Sequence, residues 1–255
     1  MLLMNRSFQS SLESCAKIVS NNILSLFAQN LTRKEYLDAV TSEIAKWTDC
    51  RCIGIRILDG DGYISYESSR GFSPQFLEKE NRLFLENDVC ACIRVIKGEF
   101  TVPDQAAKTP QGSFICEDSS RFISGLNEDE KALFRGTCIE AGFKSICIVP
   151  IRYRDKILGA IHLADTRKAL ISWEATEVIE GIGFLVGEAV FRYGLEKAFA
   201  DSEIQYNTLV ENSPSGIYLV QNEKIIFANK AFADIYGYSQ DEIIGCLLYT
   251  SDAAD

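Results

Sequence analysis

The 255-residue chain is poor in histidine, the residue type that metal sites and general acid–base sites use most often. It contains one histidine, His162, with two methionines, two tryptophans and five prolines. A single histidine limits any mixed cysteine–histidine metal site, or any catalytic dyad that needs histidine, to one candidate. No apolar run reaches the ~18 residues of a membrane-spanning helix, and residues 1–4 are too short for the apolar region of a signal peptide.

Basic residues are also in the minority. Lysine and arginine number 26 against 36 aspartates and glutamates, which gives a net charge of −10. A basic patch is expected on a protein that binds nucleic acid or an anionic membrane, so the balance argues against both partners. The nine cysteines are, by contrast, many. Without a signal peptide or a membrane span they indicate reduced thiols in the cytoplasm rather than a disulfide framework.

Apolar spacing predicts helices in the first part of the chain. Residues 8–46 read as helical because apolar side chains recur every three or four residues. The first stripe consists of Phe8, Leu12, Cys15, Val19, Ile23 and Leu26. Thr32 and Glu35 have the spacing of a capping box, which predicts that a second helix begins there.

After Cys50 the spacing changes to that of strands. Residues 52–58 and 63–66 are rich in β-branched and aromatic side chains and flank an Asp-Gly-Asp-Gly turn, which predicts a hairpin. The mixed segment that follows is expected to contain helical stretches at 74–84 and at 90–97, ending at Gly98, and a short strand at 113–116.

A further helix is predicted over residues 127–141. Asn127 and Glu130 form a second capping-box pattern, and the acidic residues there favour the positive end of a helix. Gly142 is typical of a helix end. Strands 144–151 and 156–163 are expected to follow as a second hairpin.

Residues 173–210 are predicted to form one long helix with two roles. The first apolar stripe consists of Ala175, Ile179, Ile182, Val186, Ala189 and Tyr193. The register slips by one residue at Gly194, a weak helix former. The second stripe consists of Leu195, Phe199, Ser202, Tyr206 and Leu209. Its heptad spacing predicts a parallel homodimer through the 173–210 helix, and a monomeric helix buried on one side fits the pattern equally well.

The end of the chain contains a second, smaller pattern and an unusual tail. Residues 216–220 and 224–228 are expected to pair as a hairpin, after which Asn229 is placed to cap a helix at 230–236. Residues 246–255 can be encoded by ten codons that match, in frame, a transposase adapter used in sequencing libraries. We expect these ten residues to be a scar, so that the natural sequence stops near Gly245, with a genuine exposed tail as the alternative.

The order of elements over residues 31–193 resembles a GAF domain. The motifs that carry this resemblance lie at 37–44, 55–62, 142–146, 149–151 and 157–165, and the last, Ile-Leu-Gly-Ala-Ile-His-Leu-Ala-Asp, is the most specific. Motifs at 209–218, 226–232 and 236–245 resemble the first half of a PAS domain. The resemblance implies an α+β chain with a GAF-like antiparallel sheet flanked by helices, a long connecting helix and a partial PAS-like domain.

This resemblance also implies a division of the chain. Its expected parts are an N-terminal helix and linker at 1–30, a GAF-like sensor at 31–193, a signalling helix at 194–211, the first part of a PAS-like domain at 212–245, and the scar at 246–255.

A GAF and a PAS domain joined by a helix are similar to the sensory region of a sensor histidine kinase in a two-component phosphorelay. Such a region binds a small molecule or redox cofactor in the GAF pocket and passes the state of the pocket to an output domain. The chain itself is expected to catalyse nothing, because His162 lies in a strand pattern rather than on a helix and no phosphate-binding loop is present. A diguanylate cyclase is an alternative output.

The cysteines are the remaining chemical feature. In a GAF-like fold Cys90, Cys92, Cys116 and Cys138 would surround the pocket, and His162 would line it as an axial ligand or be a satisfied histidine of the sheet. Thiolates suit haem iron, an iron–sulfur cluster or another thiolate-bound metal, and thiols of low pKa suit redox sensing. Buried, inert thiols are the simpler reading. Cys50 and Cys52 are expected to share one strand face in the core.

An enzymatic alternative follows from a second resemblance. The segments around Cys90 and Cys138 look loosely like those of free methionine-(R)-sulfoxide reductases, which have the GAF fold. In that case Cys138 would attack the sulfoxide, and Cys90 or Cys92 would resolve the product as a disulfide. The Gly-His that precedes the catalytic cysteine of that family is replaced here by Arg135-Gly-Thr.

Overall fold

The computed structural model describes residues 17–247. Phe8, Leu12 and Cys15 of the first predicted stripe, and residues 248–255 of the tail, lie outside the described residues. The described chain up to Tyr193 forms one compact unit, and the chain from Gly194 forms a second. No helix within the described range is long and apolar enough to cross a membrane.

Helices and strands alternate along both units. The helices are residues 17–26 (α1), Arg33–Thr48 (α2), Pro74–Glu80 (α3), Ala91–Lys97 (α4), Ser119–Ser124 (α5), Glu128–Lys131 (α6), Thr137–Glu140 (α7), Trp173–Glu211 (α8), Lys230–Tyr236 (α9) and Gln240–Ile243 (α10). The strands are Cys52–Leu58 (β1), Tyr63–Arg70 (β2), Arg82–Phe84 (β3), Phe114–Cys116 (β4), Ser145–Tyr153 (β5), Lys156–Asp165 (β6), Tyr218–Gln221 (β7) and Lys224–Ala228 (β8).

The first unit is built on a six-stranded antiparallel sheet in the order β3-β2-β1-β6-β5-β4. Apolar side chains cover both of its faces. On one face, residues of α2 such as Val40 and Ile44 and residues of α8 such as Ile179 and Val186 form a single core cluster. The other face packs against α3, α4 and the loops around them. The predicted α+β fold, an antiparallel sheet flanked by helices, is therefore correct.

Predictions that rest on local sequence signals are confirmed. Thr32 and Glu35 form the capping box of α2, and Asn127 and Glu130 form that of α6. α4 ends at Gly98, whose φ of 73° places it in the left-handed region. Both predicted hairpins of the first unit pair as antiparallel strands.

Three predictions are wrong, each because tertiary contacts override the local pattern. The helix expected over 127–141 is two short helices, since the chain turns at Gly136, whose φ is 81°. The helix expected over 74–84 stops at Glu80, because Leu83 is buried and pairs with β2 as strand β3. Cys50 precedes β1 and packs in the α8-side core, whereas Cys52 packs on the opposite side.

Helix α8 is continuous through Gly194, as predicted. Its first half lies close to β5: a Cβ atom on Gly187 would be 1.9 Å from the Arg152 carbonyl oxygen. From residue 194 onward its side chains are exposed up to Leu209.

The second unit contains a hairpin of β7 and β8 followed by α9 and α10. Asn229 caps α9, and its side-chain amide donates to the Val210 carbonyl in the last turn of α8. The Glu211 carboxylate accepts from the Lys230 backbone N–H. The C-terminal end of α8 is thereby fixed to the hairpin unit.

Candidate functional site: a cavity lined by thiols

A small cavity of about 50 Å³ lies in the first unit, on the face of the sheet opposite α8. Its walls come from α3, α4, β4, α5, β5, α7 and the loop before α7, and are mostly apolar. They include Glu80, Cys90, Cys92, Phe114, Cys116, Phe122, Phe134, Arg135, Cys138, Ile146 and Ile148. A cavity of this size holds a few water molecules or a very small ligand.

Strand alternation explains which side chains reach the cavity. In β4, Phe114 and Cys116 line it, whereas Ile115 packs in the core beneath α8. In β5, Ile146 and Ile148 line it, whereas Cys147 points to the opposite face.

All four cavity cysteines named from the sequence line this one space. Cys116 lies on β4, Cys90 and Cys92 lie at the start of α4, and Cys138 lies on α7. The turn at Gly136 places α7 against the cavity, so the break in the expected helix is part of the site.

His162 lies behind the cavity wall and is satisfied within the sheet. It is 1% exposed, its Nδ1 is 2.7 Å from the Tyr66 hydroxyl, and its ring stacks on Phe72. Its Nε2 is 4.0 Å from Cys138 Sγ. Burial, with a smaller effect of the Arg56 charge, lowers the pKa of His162 to about 3, so the ring is neutral at pH 7.

The four thiols differ in their ease of ionisation. The Cys92 thiol acts as a hydrogen-bond donor to the Cys90 sulfur and lowers the pKa of Cys90 to about 7. That interaction raises the pKa of Cys92 well above its usual value. Burial raises the pKa of Cys138 well above its usual value and raises the pKa of Cys116 to about 11. Cys90, which is half-buried, is therefore the cavity thiol with a substantial thiolate fraction at neutral pH.

A buried charged group lies beside these thiols and was not singled out from the sequence. Arg56 is fully buried on β1, with its guanidinium 3.7 Å from the centre of the Tyr66 ring. Its Nη2 is 3.6 Å from Glu80 Oε2, and Glu80 Oε1 accepts from Arg135 Nε at 3.0 Å. Neither Nε nor Nη2 of Arg56 has a hydrogen-bond partner among residues 17–247. A charged residue inside the apolar run Ile55-Arg-Ile57 is the sequence signal that points to it.

The site does not fit the metal groups considered from the sequence. Across the described residues no three histidine, cysteine, aspartate or glutamate side chains are arranged to hold a metal ion. A haem is much larger than the cavity. The thiols themselves are therefore the groups of this site that are available to react.

The strands that line the cavity also contact α8 on their other face. Cys147 Sγ on β5 is 3.6 Å from Thr176 Oγ1 on α8. Glu180 of α8, which is buried, accepts hydrogen bonds from the hydroxyls of Ser113 and Thr109, just ahead of β4. The strands that form the cavity wall are thus in direct contact with the long helix.

Family comparisons agree with the fold. The GAF domain model matches residues 32–190, and a PAS domain model matches residues 204–254. No curated protein matches the chain.

Two solved GAF domains have the same fold as the first unit, at low sequence identity, and a third solved structure is similar at a lower TM-score. The GAF domain of a phosphoenolpyruvate-protein phosphotransferase from Acinetobacter is 15% identical, with a TM-score of 0.52 over 74% of this chain and 98% of that chain. Its counterpart from Coxiella burnetii is 8% identical, with a TM-score of 0.51 over 73% and 96%. A free methionine-R-sulfoxide reductase from Thermoplasma acidophilum is 17% identical, with a TM-score of 0.45 over 63% and 92%.

Proposed function

Because the chain belongs to the GAF domain family and carries PAS sequence after its GAF domain, we propose that it is the sensory region of a sensor histidine kinase. The GAF domain occupies residues 31–193 in this proposal, residues 194–211 connect it to the PAS part at 212–245, and a phosphorelay output follows. A change in the cavity, through a small ligand or a redox reaction, is the input. The domain order supports this assignment.

The observation that carries the proposal is the two-sided use of β4 and β5. Their cavity-facing residues alternate with residues that pack under α8, and Glu180 fixes α8 to the segment before β4. Packed interiors respond to a change in volume by shifting as a unit. A change in cavity occupancy will therefore be felt at residues 176–187 of α8.

The second half of α8 supplies the route out of the GAF domain. Its apolar stripe is open to solvent: Phe199 and Leu209 are each 74% exposed. In the proposed parallel homodimer this stripe faces the same stripe of a second copy, as heptad spacing requires. The last turn of α8 then delivers the movement to the PAS part through Asn229 and Glu211.

The test changes the volume of the cavity in opposite directions and measures the effect on amide hydrogen exchange in α8. Cys116→Leu fills the space and Ile148→Ala enlarges it. Amide hydrogen exchange is followed over residues 173–193 in each variant. We expect exchange at α8 residues that contact β4 and β5 to change in opposite directions in the two variants.

The control is Leu83→Ala, which removes a buried side chain of the same cluster that does not line the cavity. It reports the general loss of stability that a core truncation causes, about 2–5 kcal/mol. If both cavity variants change hydrogen exchange in α8 only as much as this control does, the proposed relay, in which the cavity acts on α8, is refuted.

A thiol enzyme is the second candidate, favoured by the placement of Cys90, Cys92 and Cys138 on one cavity. In this case the chain reduces free methionine (R)-sulfoxide, with Cys138 as the attacking thiol. Robust turnover of that substrate by the wild-type chain, abolished in Cys138→Ser, would establish the enzyme in place of the sensor.

A further inference from the structure

The cavity is lined by two cysteines that lie two residues apart. Cys90 is the residue that precedes α4, Cys92 is its second residue, and both side chains line the cavity. Both thiols are free. Cys90 is half-buried and Cys92 is buried, so a reagent meets Cys90 first.

We propose that Cys90 and Cys92 are a reversible thiol–disulfide switch that is oxidised by a hydroperoxide. This inference rests on the proposed sensory function and specifies its input: the redox state of the pair, rather than a bulky bound ligand, is what the GAF domain reads. The small size of the cavity, which admits hydrogen peroxide or a short alkyl hydroperoxide, is consistent with such an input.

The chemistry proceeds in two balanced steps. The Cys90 thiolate attacks one peroxide oxygen, a sulfur–oxygen bond forms, the oxygen–oxygen bond breaks, and the alcohol or water leaves with one proton. The Cys92 sulfur then attacks the resulting sulfenic acid, a disulfide forms, and water leaves with the Cys92 proton. The two thiols lose two electrons in total, which reduce the peroxide. A dithiol reductant returns the pair to its starting state by exchange.

Arg56 assists the first step by its charge. The guanidinium is buried and paired with Glu80 of the cavity wall, and its positive charge favours the anionic form of Cys90.

The position of the pair explains why the disulfide would be reversible and why it would matter. A disulfide between residues i and i+2 at the start of a helix departs from relaxed geometry, since such side chains do not face each other along a helix. Strained disulfides are easily reduced and are the regulatory ones. The first turn of α4, which packs against β5 and β6, must adjust to form it.

The experiment treats the full chain with hydrogen peroxide, alkylates the remaining thiols, and analyses tryptic peptides by mass spectrometry. The peptide of residues 83–94 contains both cysteines. We expect it to escape alkylation, to be two hydrogens lighter, and to accept two labels after reduction with a dithiol. Peptide 83–94 that remains fully alkylated, or that is joined to the Cys138 peptide, would overturn the proposal.

Variants separate the steps. In Cys92→Ser the sulfenic acid of Cys90 should persist and react with a dimedone-type probe, whereas Cys90→Ser should leave Cys92 unoxidised. Cys116→Ser is the matched control, and the disulfide should form in it as in the wild type. Failure of this chemistry leaves the cavity-volume test of α8 unaffected. Conversely, if hydrogen exchange in α8 does not respond to cavity volume, the relay is refuted even when the disulfide forms.

Discussion

Ser113 and Glu180 are joined by a hydrogen bond of 2.6 Å, from Ser113 Oγ to Glu180 Oε1. The same oxygen accepts from the Thr109 hydroxyl. Ser113 immediately precedes β4, which lines the cavity, and Glu180 belongs to α8. This buried contact links the cavity wall to the long helix.

Glu180→Ala should therefore destabilise the first unit. Two buried hydroxyl donors lose a charged acceptor, and bonds of that kind contribute about 1.5–3 kcal/mol each. The two bonds together correspond to about 3–6 kcal/mol, and removal of a buried carboxyl group returns part of its desolvation cost, so we expect the free energy of unfolding in urea to fall by about 2–4 kcal/mol. Glu177→Ala, at an exposed position of the same helix, should change it by less than about 0.5 kcal/mol. Equal effects of the two variants would contradict the role given to Glu180.

Gly187→Ala should disturb the packing of α8 on β5. The added Cβ would meet the Arg152 carbonyl oxygen at 1.9 Å, and backbone cannot move aside as a flexible side chain can. Overpacking of this kind costs about 1–3 kcal/mol. Gly181→Ala is the matched variant, because a Cβ there meets nothing within 4 Å. It should stabilise the helix by up to about 1 kcal/mol. Thermal unfolding of both variants would reveal opposite shifts.

His162 should make the protein less stable in mild acid. The ring has a pKa of about 3 when folded, against an ordinary value of 6.5, because it is buried. As the pH falls below about 6.5 the unfolded chain binds a proton that the folded chain does not, so stability is complete above that pH and decreases towards pH 3. From pH 7 to pH 5 we expect a loss of about 2 kcal/mol.

The measurement for His162 is urea unfolding at pH 7 and pH 5 in the wild type and in His162→Gln. Glutamine keeps a hydrogen-bonding group near Tyr66 but does not titrate, so most of the pH dependence should disappear. Asp165 does not contribute in this range, since its pKa is lowered and its effect begins only in stronger acid. A variant with the same loss as the wild type would show that another group titrates.

Phe199→Glu should weaken the proposed dimer. Phe199 lies in the exposed heptad stripe of α8, and a charge at the seam of a coiled coil must be desolvated. We expect the dissociation constant to rise at least tenfold, about 1.4 kcal/mol, by sedimentation equilibrium. Lys197→Glu changes an exposed position on another face of the same turns and should have little effect. A wild-type chain that is monomeric at all concentrations would reject the dimer.

The parts of the fold that the sequence predicts are those encoded locally. The capping pairs Thr32–Glu35 and Asn127–Glu130 lie three residues apart, and the slip of register at Gly194 is visible in apolar spacing alone. The break at Gly136 is different, because the segment after it folds back against a cavity formed by distant strands. That contact cannot be predicted from the spacing of apolar residues along the chain.

The candidate site was only partly predictable for the same reason. The four cysteines could be brought together through the family resemblance, since it supplies the fold. The contact of Arg56 with Glu80, and of Glu80 with Arg135, joins three segments far apart in sequence. The same holds for His162, whose satisfied state depends on Tyr66 of a different strand. Such partners become visible only when the strands are in register.

In the proposed sensor, the state of the GAF cavity moves α8. The most direct measurement is the distance between spin labels at position 201 in the two copies of the homodimer, introduced as a non-canonical amino acid so that the native thiols stay free. We predict a shifted distance distribution in Cys116→Leu, and in the wild type after peroxide treatment, relative to the reduced wild type. Identical distributions in all three samples would contradict the account.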